Sequence, residues 1–239
     1  MKKLVAMVSV VLAMGLGVSA QAEERSWAWS PLGIGIAAPI QLPFMETDVY
    51  GLRFGGFFGR NASVYGIDAG IAETCSENFA GVQASAMSWT EGNAYGLQLG
   101  ALANVVNGSA TAAQLGFANV VWDDAVGAQL GLINYTVNMR GVQLGGIINW
   151  NNLASYGLEI GLLNANQMEY SGWMLGGLVN YADSARGFSC GLINAAYDFS
   201  GCQLGLINAC DHMHGVQLGL VNLICGSKLP IMVLANAWF

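Results

Sequence analysis

The sequence predicts an all-β fold made of one short repeat: an antiparallel up-and-down β-barrel of about 14 strands, with a parallel β-solenoid carrying one repeat per coil as the alternative. Three observations lead there. The segment Gly201–Asn208 (GCQLGLIN) recurs as Gly215–Asn222 (GVQLGLVN), Gly157–Asn164 (GLEIGLLN) and Gly141–Asn149 (GVQLGGIIN). Charged residues make up 10% of the chain against 54% apolar ones, yet no apolar run beyond the N-terminus approaches the ~20 residues of a membrane helix. Apolar positions alternate with period two, as in a strand, and not 3.6.

The chain opens with Lys2 and Lys3, an apolar run Leu4–Val18 and the small-x-small sequence Ala20-Gln21-Ala22. This is the form of a secretory signal peptide over residues 1–22, leaving a single repeat-built β domain over 23–239. The expected location is therefore outside the cytoplasm, in the outer membrane or at the cell surface of a Gram-negative envelope. No cysteine marks a lipid-attachment site at the cleavage point. Loss of Lys2 and Lys3 with the leader takes the formal net charge from −7 to −9. An acidic chain without a basic stripe excludes nucleic acid as a partner class.

After the leader, Pro31–Pro43 reads as an entry strand. Repeat units then begin at Gly51, Gly66, Gly81 and Gly96 and continue to a last strand near Leu229–Phe239. The motif is G-φ-Q-φ-G-φ-φ-N, with φ apolar. Its asparagines fall at 104, 119, 134, 149, 164, 180, 194, 208, 222 and 236, in steps of 14 to 16 residues. One strand face carries Val216, Leu218 and Leu220. The other carries a column at the Gln position: Arg53, Asp68, Gln83, Gln98, Gln114, Gln129, Gln143, Glu159, Gln203 and Gln217, with Met174 and Ser189 completing it. Arg53 and Asp68 stand in successive units and are placed to pair across adjacent strands.

In the barrel, the Leu/Val face meets outer-membrane lipid and the Gln column lines a lumen for small polar solutes. Trp122, Tyr135, Trp150 and Tyr181 near strand ends fit interfacial girdles. In the solenoid, Gln stacks on Gln and Asn on Asn. The solenoid explains why every unit has the same phase. Variable unit length, an irregular second half of each unit and apolar residues before each Asn (Ile133, Ile148, Val179, Ile207, Val221) favour the barrel. The repeat resembles a family of bacterial short-surface-repeat proteins built on G-L-Q-L-G-L-V-N, over roughly Val49–Phe239. That resemblance implies a surface or outer-membrane location and brings no established activity. The pattern is also similar to the short head repeat of trimeric autotransporter adhesins.

The functional expectation follows the fold. A barrel is structural or passes small solutes; a solenoid is an adhesion or binding module for an extracellular protein or glycan. No constellation for catalysis and no cofactor motif is present, so an enzyme is not expected. His212 and His214 are the weak candidates for a metal, read first as part of a polar turn. Of the five cysteines, Cys210 and Cys225 come one coil apart within a residue of register in a solenoid, near enough to bridge. In a barrel they lie at opposite ends of one strand.

Overall fold

A computed structural model describes residues 29–37 and 40–238 of the chain. The signal peptide expected at 1–22 lies outside the described residues. The fold is a parallel β-solenoid of about 12 turns, 89% strand. Its elements are β1 (Trp29–Ala37), β2 (Ile40–Leu42), β3 (Asp48–Gly70), β4 (Glu73–Thr90), β5 (Ala94–Val106), β6 (Ala110–Cys190), β7 (Ile193–Leu204), β8 (Ile207–Ile224) and β9 (Ile231–Trp238). β6 is 81 residues long because extended backbone passes round successive coils without a break.

The barrel expectation is thereby corrected, and its alternative holds. Equivalent residues pair in parallel with the next coil: Gly66 with Gly81 and Asp68 with Gln83, Gly81 with Gly96 and Gln83 with Gln98, Gly201 with Gly215 and Gln203 with Gln217. Identical phase in every unit is what parallel stacking requires, since up and down strands are not equivalent. The variable unit length is absorbed at corners, where the register shifts between Gly100 and Ala103 and between Ser85 and Met87. Only the ends are antiparallel. β2 folds back on β1, and β9 folds back on β8 with Gln217 opposite Asn236. The expected entry and last strands are thus the two end caps.

The second half of each unit does bury a regular stripe. Two residues before each repeat glycine lie Val49, Val64, Phe79, Ala94, Ala110, Ala125, Met139, Ser155, Tyr170, Ala185, Phe199 and Met213, all buried. Their sizes run from Ala to Tyr, so the stripe has a constant place but no constant residue.

The first glycine of the motif has a positive φ in eleven coils, from Gly51 to Gly215. That backbone also brings coils close together. A Cβ on Gly157 would stand 2.0 Å from the Gly141 carbonyl oxygen, and one on Gly81 1.9 Å from that of Gly66. Only glycine tolerates both conditions. Ala112 takes this place in one coil, paired with Gly96, without a positive φ. Gly157→Ala is expected to cost on the order of 3–5 kcal/mol in chemical denaturation, while Ala128→Gly, outside the core, costs under about 1 kcal/mol.

Candidate functional site

The Gln column points into a filled core, not a lumen. Its members are at most 2% exposed, which removes the passage for solutes that a barrel would have had. The column starts on an ion pair: Arg53 Nε donates to Asp68 Oδ1 at 2.6 Å, and Arg53 Nη1 donates to Asn61 Oδ1 at 3.3 Å. Gln83 Nε2 donates to Asp68 Oδ2 at 2.9 Å. Gln98, Gln114, Gln129 and Gln143 then each donate to the Oε1 of the preceding glutamine at 2.8–2.9 Å. After a break at Glu159, Met174 and Ser189, Gln217 donates to Gln203 at 2.8 Å.

A second ladder runs through the asparagines with opposite polarity. Asn104, Asn119, Asn134, Asn149, Asn164, Asn180, Asn194 and Asn208 each donate Nδ2 to the Oδ1 of the following asparagine at 2.8–2.9 Å. Most donate the other proton to a backbone carbonyl of the next coil, such as Leu115 or Ile160. Each ladder ends on an unpartnered buried acceptor, Asn104 Oδ1 at one end and Gln217 Oε1 at the other.

Glu159 stands where the glutamine ladder breaks. Asn151 Nδ2 donates to its Oε1 at 2.8 Å and Asn166 Nδ2 to its Oε2 at 3.0 Å. Asn151 also donates to Gln143 Oε1 at 2.9 Å, so it carries the ladder sideways. These partners are amides and bring no positive charge. Burial therefore raises the carboxyl from 4.5 to about 7, against the smaller opposing effect of hydrogen bonds from Ser155 and Asn166. Tyr170 donates its hydroxyl to the Gly157 carbonyl at 2.9 Å, and burial and then the neighbouring Glu159 push its phenol up. Asn151, Ser155, Glu159 and Asn166 form a polar belt between two apolar clusters, Val49 to Met139 and Tyr170 to Ile224.

The two histidines are both exposed, on either side of buried Met213. His212 sets its ring edge-on to Tyr197, with centroids 5.5 Å apart. Among the described residues no group of three or more His, Cys, Asp or Glu could hold a metal ion. Cys210 and Cys225 are free thiols although the fold is a solenoid. Cys210 shares its inward place with Ile224, and the one-residue offset turns Cys225 outward.

The outer surface divides sharply. In the ten coils from Gly81 to Ile224, the stretch from the repeat glycine to two residues past the asparagine holds one Asp, Glu, Lys, Arg or His, and that one is the inward Glu159. Glu91, Asp123, Asp124, Arg140, Glu169, Asp183, Arg186, Asp198 and Asp211 all fall in the remaining segment of each unit. The uncharged side exposes Leu115, Leu132, Leu162, Trp173, Leu206 and Leu220 among others. The apolar residues before each asparagine belong to it: Ile133, Ile207 and Val221 are 36–39% exposed. Where Ala84 stands opposite Leu99 and Ala101 is small, an open groove of about 750 Å³, lined also by Ser85, runs along the coils past Leu99, Leu115 and Leu130. Ser85 is already engaged, donating to the Met87 carbonyl at 2.6 Å.

The column and the face pattern are legible in the sequence. The partition of charge was not recognised there, although it is visible once units are aligned on the glycine. No protein-family model, curated protein or solved structure matches the chain.

The Glu159 environment sets a pH dependence. Its folded value of about 7 lies above the ordinary 4.5, so the folded state binds the proton more tightly and stability falls as pH rises through that window. The wild-type chain is expected to lose about 3 kcal/mol between those two pH values. In Glu159→Gln that slope disappears in denaturant titrations at stepped pH.

Proposed function

We propose that this chain is an exported β-solenoid of the cell surface that acts as a binding module, and that the uncharged facet is its binding face. The observation that carries the reading is the segregation of charge over ten successive coils. Ten coils at ~4.8 Å and a facet ~15 Å wide give on the order of 700 Å², above the few hundred Å² usual for an exposed apolar patch. Such a surface, left in water, is a liability unless something covers it. The N-terminal leader supports export, and the resemblance to surface-repeat proteins supports the location.

The facet's side chains point away from the core, so changing them tests binding without breaking the fold. A triple variant with Leu132, Leu162 and Leu206 each replaced by Lys is expected to keep its circular dichroism and melting temperature. Its retention on Gram-negative envelope fractions should fall about tenfold or more. A matching variant with Asp123, Asp183 and Asp211 replaced by Asn should be retained as wild type. The reverse pattern would move the binding face to the acidic side.

A further inference from the structure

The chemistry of the facet restricts what covers it. The coil-to-coil ladder already uses its backbone donors and acceptors, as in the pairing of Leu97 with Ala113 and Leu99 with Leu115. Between its aromatic borders, its outward side chains over these coils are Leu, Ile, Val, Ala, Gly, Phe, Met87, Trp173, the already engaged Ser85 and two thiols, Cys190 and Cys202, with no charge and few hydrogen-bonding groups. A specific protein–protein interface carries about one hydrogen bond per 100–200 Å², which on this area means several. Apart from the Trp173 indole and the two thiols, the strip offers no free group to make them. It also repeats itself every coil, so a protein partner displaced by one coil, ~4.8 Å, would meet nearly the same surface. Nothing sets a register. A fluid hydrocarbon needs neither register nor hydrogen bonds.

The borders of the facet point the same way. One residue before the repeat glycine stand Tyr95 and Tyr156 within the ten coils, 43–52% exposed, and Tyr50 and Tyr65 in the two coils before them, 38–49% exposed, while Arg140, Arg186 and His214 hold the same place in other coils. Tyr50 and Tyr65 stack at 4.7 Å. On the opposite border, just past the asparagines, are Trp89, Tyr135, Trp150 and Tyr181, with Trp122 tilted over Tyr135 at 5.1 Å. Amphipathic rings that flank an uncharged apolar strip occupy the level where hydrocarbon gives way to headgroups. The acidic segment of each coil lies beyond them.

We infer that the uncharged facet lies on a lipid surface: the solenoid rests lengthwise on a membrane, its Leu and Ile columns in the hydrocarbon boundary, its tyrosines and tryptophans at headgroup level and its acidic segments in water. The groove beside Leu99, Leu115 and Leu130 would then accept acyl chain. This rests on the facet being the binding face. The strip itself carries no basic residue and Arg140 and Arg186 reach only its border, so attachment depends mainly on apolar burial and not on anionic headgroups.

The test is flotation of the mature chain with extruded vesicles of phosphatidylcholine alone. Wild-type protein is expected to float, with little change between roughly 0.1 and 1 M salt, where attraction between exposed charges would be screened. The Leu132, Leu162 and Leu206 to Lys variant should partition about tenfold less. The same three residues changed to Ala should give an intermediate loss, with an unaltered melting curve as the control for folding. If wild type does not float but sedimentation equilibrium shows a self-associated species that the Lys variant dissolves, the lipid inference is overturned while the facet remains a binding face. If neither flotation, self-association nor envelope retention responds to the facet variants, both readings are overturned.

Discussion

Register between coils is the constraint on which this structure depends. Two columns of side-chain amides are buried, and most are satisfied by the equivalent amide one coil away. A buried amide left unpaired costs about 1–3 kcal/mol, and a slip of one residue would strand many at once. A slip at a single interface breaks one bond in each ladder and so already costs several kcal/mol, a large part of the roughly 5–15 kcal/mol typical of a whole domain. The close approach at the positive-φ glycines follows from the same stacking. Neighbouring coils sit near enough that a methyl group would strike the carbonyl opposite.

Placing amides inside has a consequence for the outside. Many of the larger aliphatic side chains of the motif cannot also be inside, and alternation sends them to the surface. The core instead takes its apolar content from the stripe two residues before the repeat glycine, in one cluster from Val49 to Met139 and another from Tyr170 to Ile224. Between them, the belt of Asn151, Ser155, Glu159 and Asn166 is held by hydrogen bonds alone. That middle section lacks apolar burial and contains a carboxyl near its titration point, so it is the section whose stability answers to pH.

Much of this was readable in advance. The strand, its two faces, the Gln and Asn columns and the Arg53–Asp68 pair all follow from period-two alternation and the constant phase. The choice of barrel over solenoid failed for physical reasons. The stripe containing Ala94, Met139, Ser155 and Tyr170 varies in size and polarity from coil to coil, so its sequence does not read as a core. The half-exposed Ile133 and Ile207 looked impossible to solvate; stacking on their equivalents in adjacent coils leaves them partly covered. Glu159 was read as a member of the polar column, which it is. Its real partners, Asn151 and Asn166, belong to a second inward column, two residues past the repeat asparagine.

The opposite polarity of the two amide ladders bears on how such a chain grows. Each ladder on its own adds one aligned dipole per coil, and a single long one would build up charge at its ends as a helix does. Where both run side by side, two that point in opposite directions largely cancel, so added coils there carry little electrostatic cost. From Gln98 to Gln143 each coil also receives and passes on the same bonds, so excising or duplicating one whole unit there in the gene rejoins both ladders with like partners. Selection can then set the length of the facet in steps of a single coil, tuning the reach of the surface while leaving the architecture and its end caps untouched.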